Sequence, residues 1–149
     1  MGIEIERKFL VNGGFQHLSV KNIHIRQAYL SNCPERTIRL RIAGKKAFLT
    51  IKSDPQADSF TRMEWEYELP LSDAEEMMKI CIPGKIEKTR YYVPCGKHMF
   101  EVDVFHDKNE GLIIAEIELS SESEVFEKPG WLGEEVTGDP SYYNVNLIK

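Results

Sequence analysis

The chain has 149 residues, of which 42% are hydrophobic and 29% are charged, and its formal net charge is −5. These values fit one globular domain over residues 1–149 that buries a substantial core. The acidic balance excludes a general attraction for nucleic acid, so an anion site would have to be local. The three cysteines are irregularly spaced, and no apolar run approaches the roughly 20 residues of a membrane helix. We therefore expect a cytoplasmic protein without a disulfide framework, a zinc site or a membrane segment.

Eight segments alternate apolar and polar residues, which predicts β-strands. Turn signals at residues 43–45, 94–96 and 107–111 predict the short connections of antiparallel hairpins. Eight strands are enough to close a barrel. In chain order the predicted strands are residues 3–11, 23–30, 37–42, 46–53, 60–69, 85–93, 98–105 and 112–119.

One helix is predicted between the fifth and sixth strands, in the stretch LSDAEEMMKICIPG. Ser72 is the expected N-cap, Glu75 occupies the capping-box position, and Gly84 is the stop signal. Two further short helices are expected after Ser120 and after Pro140. The predicted fold class is therefore mainly β, with a few helices packed outside the sheet.

The charged residues share one face of the predicted strands, because alternate side chains of a strand point the same way. In the first strand Glu4, Glu6 and Lys8 oppose Ile3 and Ile5, and seven strands show this split. The charged pairs within a strand mostly have one sign, and such pairs repel unless an opposite charge lies between them. An open sheet with a solvated charged face is the alternative. A ligand that carries several charges explains the pairing better.

If the sheet closes with the charged face inside, the lumen becomes a polar tunnel. Clustered carboxylates are then unfavourable without cations, since two charges about 4 Å apart interact by roughly 4 kcal/mol at an effective dielectric near 20. Mg²⁺ or Mn²⁺ suits carboxylate oxygens, and Arg and Lys suit phosphate oxygens. The basic candidates are Lys8, Arg39, Arg41, Lys52, Lys88 and Arg90, with Arg62 in addition, and the acidic candidates are Glu4, Glu6, Glu64, Glu66, Asp103, Glu116 and Glu118.

The opening Glu4-Ile5-Glu6-Arg7-Lys8 resembles the ExExK signature of the CYTH superfamily, the triphosphate tunnel metalloenzymes. The resemblance continues in order through TIRLRIAG, LTIKSD, RMEWEYEL, KTR, FEVDVFHD, GLIIAEIEL and the tail WLGEEVTGDPSYYNVNL. It implies an eight-stranded antiparallel barrel that hydrolyses or transfers triphosphate groups with Mg²⁺ or Mn²⁺. The compact length resembles short bacterial members that hydrolyse inorganic triphosphate.

The resemblance also implies a division of roles, in which the basic positions bind phosphates and the acidic positions bind metal. Lys52 is either a general base whose pKa is lowered by surrounding cations or a phosphate contact. Tyr29 either supports that base or simply places its hydroxyl in the tunnel. The first metal candidates are Glu4, Glu6, Glu116 and Glu118, with Glu64, Glu66 and Asp103 completing the site or supporting a second ion.

Three functions remain open at this point. The first is an inorganic triphosphatase, which the lack of an evident aromatic and amide pocket for a base favours. The second is a cyclase that makes cyclic AMP, or a hydrolase of thiamine triphosphate or nucleotides. The third is a non-catalytic binder of polyphosphate or nucleotide. The tail over residues 141–149 either plugs a tunnel mouth as a helix or, as we prefer, packs on the barrel. The protein is expected to be a monomer or a homodimer.

Overall fold

The computed structural model describes residues 2–54 and 61–148. The eight predicted strands correspond to β1 to β8, with ends that shift by a few residues. The predicted start of the fifth strand, Phe60, lies outside the described residues, and Cys95 ends a strand instead of lying in a turn. The strands are β1 (Gly2–Val11), β2 (Lys21–Cys33), β3 (Arg36–Ala43), β4 (Lys46–Lys52), β5 (Thr61–Leu69), β6 (Ile86–Cys95), β7 (His98–Phe105), β8 (Ile113–Glu118) and β9 (Leu132–Glu135).

The first eight strands form a closed antiparallel barrel, as predicted. The strand order is β5-β4-β3-β2-β6-β7-β8-β1, and β1 also pairs with β5. The first half of β1 lies against β5, with Glu4 opposite Arg62, and its second half lies against β8, with Lys8 opposite Glu116. Closure pairs every barrel strand on both sides, except that β5 covers only residues 2–5 of β1 on that side.

The ninth strand was not predicted. β9 continues along β1 beyond the part that β5 covers, with Phe9 opposite Glu135 and Val11 opposite Leu132. The Arg7 guanidinium also pairs with the Glu135 carboxylate at 2.6 Å. Four residues are too few for an alternating pattern to stand out. The pairing arises because the free edge of β1 needs hydrogen-bond partners.

Helix α1 (Leu71–Met77) is the only α-helix within the described ranges, so the prediction of a few helices was too high. The predicted cap was also wrong: Pro70 is the N-cap, and Ser72 lies inside the first turn without a capping bond. The expected capping-box glutamate, Glu75, pairs instead with Arg26 at 3.0 Å. Pro70 suits the helix start because its ring fixes φ near the helical value, here −58°.

The two later helices that the sequence suggested are absent as α-helices. The chain after Ser120 has no helical turn up to β9, and after Asp139 it forms two short 3₁₀ turns, Pro140–Tyr142 and Asn144–Asn146. The first segment instead packs on the outer face of the barrel, and residues 143–145 of the second line its interior. No helix in residues 2–54 or 61–148 is long and apolar enough to cross a membrane.

The outer face of the barrel carries most of the apolar core. Ala74 of α1 and Met78 after it pack on Leu40 and Ile42 of β3. On the other side, the chain before β9 covers β1, β7 and β8 with aromatic rings, including Phe126 and Trp131. Their ring centroids lie 5.9 Å from Phe9 and 5.3 Å from Phe100, respectively. The residues opposite the charged ones therefore build the hydrophobic layers, as the alternation predicts.

One end of the barrel interior is also apolar, which the sequence interpretation missed. Phe105 ends β7, Ile86 begins β6, and Ile114 lies near the start of β8. Phe105 is opposite Lys88, and Ile114 is opposite Asp103, so these apolar side chains share the inner face with charged ones. We call this buried cluster the apolar end; it consists of Tyr29, Ile86, Phe105, Ile114 and Leu147.

Candidate active site

The rest of the barrel interior encloses a charged cavity of about 220 Å³. Two of the residues singled out from the sequence, Lys88 and Asp103, lie behind its wall with fully buried side chains. The others line the cavity: Glu4, Glu6, Lys8, Tyr29, Arg39, Arg41, Lys52, Arg62, Glu64, Glu66, Arg90, Glu116 and Glu118.

Three carboxylates gather on one side of the cavity, and we call Glu4, Glu64 and Glu118 the acidic triad. One oxygen from each lies within 4.8 Å of the others. Barrel closure brings them together, because β1 lies between β5 and β8. Burial and the charge of Glu4 raise the pKa of both other carboxyls. Three oxygen donors without nitrogen or sulfur ligands fit a hard divalent cation such as Mg²⁺ or Mn²⁺.

A second carboxylate pair lies beside the acidic triad. Glu6 forms a hydrogen bond with Glu116, and burial together with the charge of Glu116 raises the pKa of Glu6 well above its usual value. Burial acts in the same direction on Glu116, but the charges of Lys8 and Arg90 outweigh it and hold its pKa well below the ordinary range. The Lys8 ammonium lies 4.0 Å from Glu116. Glu6 is thus the protonated partner of the pair.

The basic side of the cavity rests on a buried ion-pair network around Asp103. Its carboxylate accepts from Lys88 Nζ at 2.6 Å and from Arg90 at 2.7 Å and 2.9 Å. The Arg90 guanidinium also reaches Glu101 at 3.3 Å. Both oxygens of Asp103 are therefore occupied by cations, and they are held away from the acidic triad.

Arg39 and Arg41 add positive charge that is only partly neutralised, because Glu66 lies 3.9 Å from Arg39 and the hydrogen bonds of both arginines go to neutral groups. Arg39 donates to the Thr50 hydroxyl at 3.2 Å, and Arg41 donates to the Gln27 amide oxygen at 3.1 Å. The buried Arg39 Nε and Gln27 Nε2 find no partner among the residues that the structure describes. Burial, with Arg39 and Arg90 nearby, lowers the pKa of Arg41 to about 9. Such a group of buried cations calls for an anion.

Lys88 is a second buried cation with a lowered pKa. Burial and the neighbouring arginines Arg90 and Arg41 lower its pKa to about 7, although Asp103 acts in the opposite direction. The pKa of Arg41, which lies near the same cations, is lowered as well. An anion in the cavity would raise both values.

Lys52 and Glu66 occupy the boundary between the acidic and basic sides. Lys52 Nζ donates to both oxygens of Glu4, at 2.9 Å and 3.0 Å. Burial lowers the pKa of Lys52, but the charges of Glu4 and Glu6 outweigh burial and raise it. The expected lowering is therefore wrong for this arrangement. Glu66 accepts from Thr50 at 2.9 Å and lies 3.9 Å from Arg39.

Several residues of the site were missed from the sequence. Gln27, the partner of Arg41, has the same strand parity as Tyr29 and could have been found from that alternation. Thr37 likewise shares the inner face with Arg39 and lines the cavity. The C-terminal residues Tyr143, Asn144 and Val145 also line it, so the tail contributes to the cavity, which the preferred interpretation of plain packing did not include.

A closed antiparallel barrel whose interior sets clustered acids against clustered bases belongs to the class of tunnel proteins that hold a polyanion together with a metal. The family comparison agrees, because the CYTH domain profile matches residues 2–144. The chain belongs to the CYTH family.

Curated relatives and solved structures are similar over nearly the whole chain. An inorganic triphosphatase of Acetivibrio thermocellus is 43% identical over 100% of this chain and 95% of the relative. An inorganic triphosphatase of Nitrosomonas europaea is 36% identical over 97% of this chain and 95% of the relative. A crystal structure of an inorganic triphosphatase superposes with a TM-score of 0.70 at 34% identity, covering 99% of this chain and 95% of the other.

Proposed function

We propose that this protein is an inorganic triphosphatase, which hydrolyses triphosphate to pyrophosphate and phosphate. The observation that carries the proposal is the presence of incompletely paired buried arginines and the acidic triad in one small cavity. Arg39 Nε lacks a partner within the described chain, while the triad carboxylates lie within 4.8 Å of one another. A polyphosphate with a divalent cation supplies the charges that both groups need. The curated relatives support the same reaction.

The basic residues are proposed to bind the phosphate oxygens in two layers. Those on the cavity wall contact the substrate directly, since charge-assisted bonds to phosphate are strong and Arg can make two at once. Lys88 is buried behind the wall, so it acts through Arg90 and through its charge rather than by reaching the substrate. The direct contacts would be Lys8, Arg39, Arg41, Arg62 and Arg90.

The acidic triad is proposed as the metal site, with Mg²⁺ or Mn²⁺ as the ion. A bound divalent ion would neutralise phosphate charge and orient the attacking water. Glu6, Glu66 and Glu116 lie on the same cavity wall and would hydrogen-bond the water around the ion. Asp103 is better assigned to fixing Lys88 and Arg90, because both its oxygens already accept from them.

Lys52 is proposed to change partners when the site is loaded. Its ammonium now binds Glu4, a member of the acidic triad, so a cation at the triad would compete for that carboxylate. Released from Glu4, Lys52 would face the phosphates, whose negative charge favours its ammonium form, so a phosphate contact suits it better than a role as proton acceptor. Tyr29 has its ring in the apolar end and also lines the cavity, so its hydroxyl is a candidate contact.

The size of the cavity favours an inorganic substrate. Pockets for drug-sized ligands are about 300–1,000 Å³ and mostly apolar. This cavity measures about 220 Å³, and charged side chains dominate its wall. A nucleoside or thiamine group would find little apolar surface there. The cyclase and organic triphosphatase alternatives therefore rank below the inorganic triphosphatase.

The decisive experiment measures phosphate release from triphosphate, ATP, thiamine triphosphate and pyrophosphate in parallel, with Mg²⁺, Mn²⁺ or excess chelator. We expect the highest kcat/KM for triphosphate, and no turnover in chelator. Tight binding of triphosphate without turnover under any divalent ion would identify a binding module. Formation of cyclic AMP from ATP that is faster than hydrolysis of triphosphate would show that the protein is a cyclase, with the family assignment unchanged.

A further inference from the structure

Residues 142–145, here called the mouth segment, form part of the wall of the charged cavity, although they belong to no strand. Tyr143, Asn144 and Val145 line the cavity. Val145 and Tyr142 also pack against the apolar end. The segment therefore joins the charged cavity to the apolar end and limits the space between them.

The mouth segment is fixed at both of its ends. Before it, the Asp139 carboxylate accepts from Ser141 N at 3.0 Å, and Asn146 donates to the Pro140 carbonyl at 2.8 Å. After it, Asn109 donates to the carbonyl of the buried Leu147 at 2.8 Å. These hydrogen bonds hold the segment in place, so a ligand that needs its space has to break them.

Tyr143 makes the contact that matters for substrate choice. Its ring centroid lies 5.6 Å from Lys8 Nζ and 4.9 Å from Arg62 Cζ. Lys8 Nζ also donates to the carbonyl of Tyr142 at 3.3 Å. Cations prefer the negative face of an aromatic ring, and the same face repels a phosphate. The ring therefore contacts two cations of the cavity that it also lines, and its face repels anions there.

We propose that Tyr143 is the residue that determines the length of the phosphate chain in this site. The terminal phosphate meets Lys8 and Arg62, and the ring that contacts both occupies the space that a further phosphate or an organic group would need. This inference rests on the proposed triphosphatase function, because it concerns the choice among substrates of that reaction. The charges of the acidic triad do not by themselves limit the length of the phosphate chain.

The test compares kcat/KM for inorganic triphosphate, inorganic tetraphosphate and ATP in the wild type and in Tyr143→Ala. The wild type should strongly prefer triphosphate. In Tyr143→Ala the ratio of tetraphosphate to triphosphate kcat/KM should rise by at least about tenfold, because the steric and electrostatic stop is gone. Tyr143→Phe keeps the ring and should retain the wild-type ratio.

A control variant and a substitute variant separate this effect from a general loss of stability. Tyr67→Ala removes an exposed tyrosine from the outer face of β5, and it should leave the ratio unchanged. Should Tyr143→Ala not fold, Tyr143→Leu keeps apolar bulk without the aromatic face and should raise the ratio by about threefold or more.

A ratio within about twofold of wild type in a folded Tyr143→Ala or Tyr143→Leu would overturn the inference. Equal turnover of triphosphate and tetraphosphate by the wild type would also overturn it while leaving the triphosphatase proposal standing. If the wild type hydrolyses neither phosphate, the proposed function itself fails.

Discussion

The charged cavity and the apolar end are built from the same strands, yet the first is a charged space for a ligand and the second is a packed apolar cluster. Along the inner face of β1 the side chains run Glu4, Glu6, Lys8 and then Leu10, and along β7 Asp103 is followed by Phe105. The apolar end is stabilised by packing, whereas the cavity keeps buried charges that its own ion pairs neutralise only in part. Stability should therefore reside in one region and activity in the other, and single substitutions can test that separation.

The largest expected effect is the loss of activity in Glu118→Gln. The change removes one of the three oxygen charges of the acidic triad with little change in volume, so kcat should fall by at least about 10³-fold, or about 4 kcal/mol. Steady-state kinetics on triphosphate with Mg²⁺ or Mn²⁺ measure it. Thermal unfolding should be unchanged or slightly improved, because burial and the nearby carboxylates raise the pKa of Glu118 and so disfavour its charge.

The matched control for this variant is Glu68→Gln, an exposed position on β5 outside the cavity. It removes the same charge without touching the acidic triad, so its kcat should match that of wild type. A kcat for Glu118→Gln within about tenfold of wild type would take Glu118 out of the metal site.

The next effect is on stability, in Ile114→Ala at the apolar end. Ile114 is fully buried in the barrel, so the variant should lose about 2–5 kcal/mol of unfolding free energy through lost burial and a cavity. Urea denaturation followed by circular dichroism measures it. Ile3→Ala, on the exposed outer face, should cost less than about 1 kcal/mol. Similar losses in the two variants would show that the apolar end does not carry the stability assigned to it.

A smaller effect is expected for Arg39→Ala, which removes a proposed phosphate contact. Loss of a charge-assisted hydrogen bond costs about 1.5–3 kcal/mol, so KM for triphosphate should rise about 10- to 150-fold. Any parallel fall in kcat would report contacts that strengthen in the transition state. Arg36→Ala, exposed on the same strand, is the control and should keep the wild-type KM. An unchanged KM in Arg39→Ala would place the phosphates elsewhere in the barrel.

The smallest effect is proton uptake when triphosphate binds. Burial and nearby arginines lower the pKa of Lys88 to about 7 in the ligand-free protein, and a polyanion raises it toward its ordinary value. At a pH between these two values the complex binds more protons than the free protein, so binding should take up as much as about one proton near pH 8 and weaken as the pH rises.

Calorimetric titrations at pH 8 in buffers of different ionisation enthalpy measure this uptake directly. Lys88→Met keeps a chain of similar length but does not titrate, and it should show a smaller uptake. Proton release on binding in the wild type, or an uptake that Lys88→Met leaves unchanged, would contradict the assignment to Lys88.

The sequence predicted much of the site because period-two alternation is a local property. Arg39 and Arg41 could be assigned to one face from TIRLRIAG alone, and the cavity contains both. The same rule places Leu10 and Phe105 on the inner face, so the apolar end was predictable from the sequence. It was missed because only the charged residues of that face were considered. The pKa of Lys52 was not predictable, because it depends on Glu4, which lies 48 positions away along the chain.

What the sequence by itself determined is the eight strands of the barrel, the residues on each face and the resemblance to a family, since each depends on neighbouring residues or on ordered motifs. Tertiary structure alone decided which strands meet. The pairing of β1 with both β5 and β8 assembles the acidic triad, β9 finds the free edge of β1, and residues 142–145 reach the cavity from the far end of the chain. Such contacts depend on the closure of long loops and on the burial of surface between distant segments. A local sequence pattern predicts neither of these.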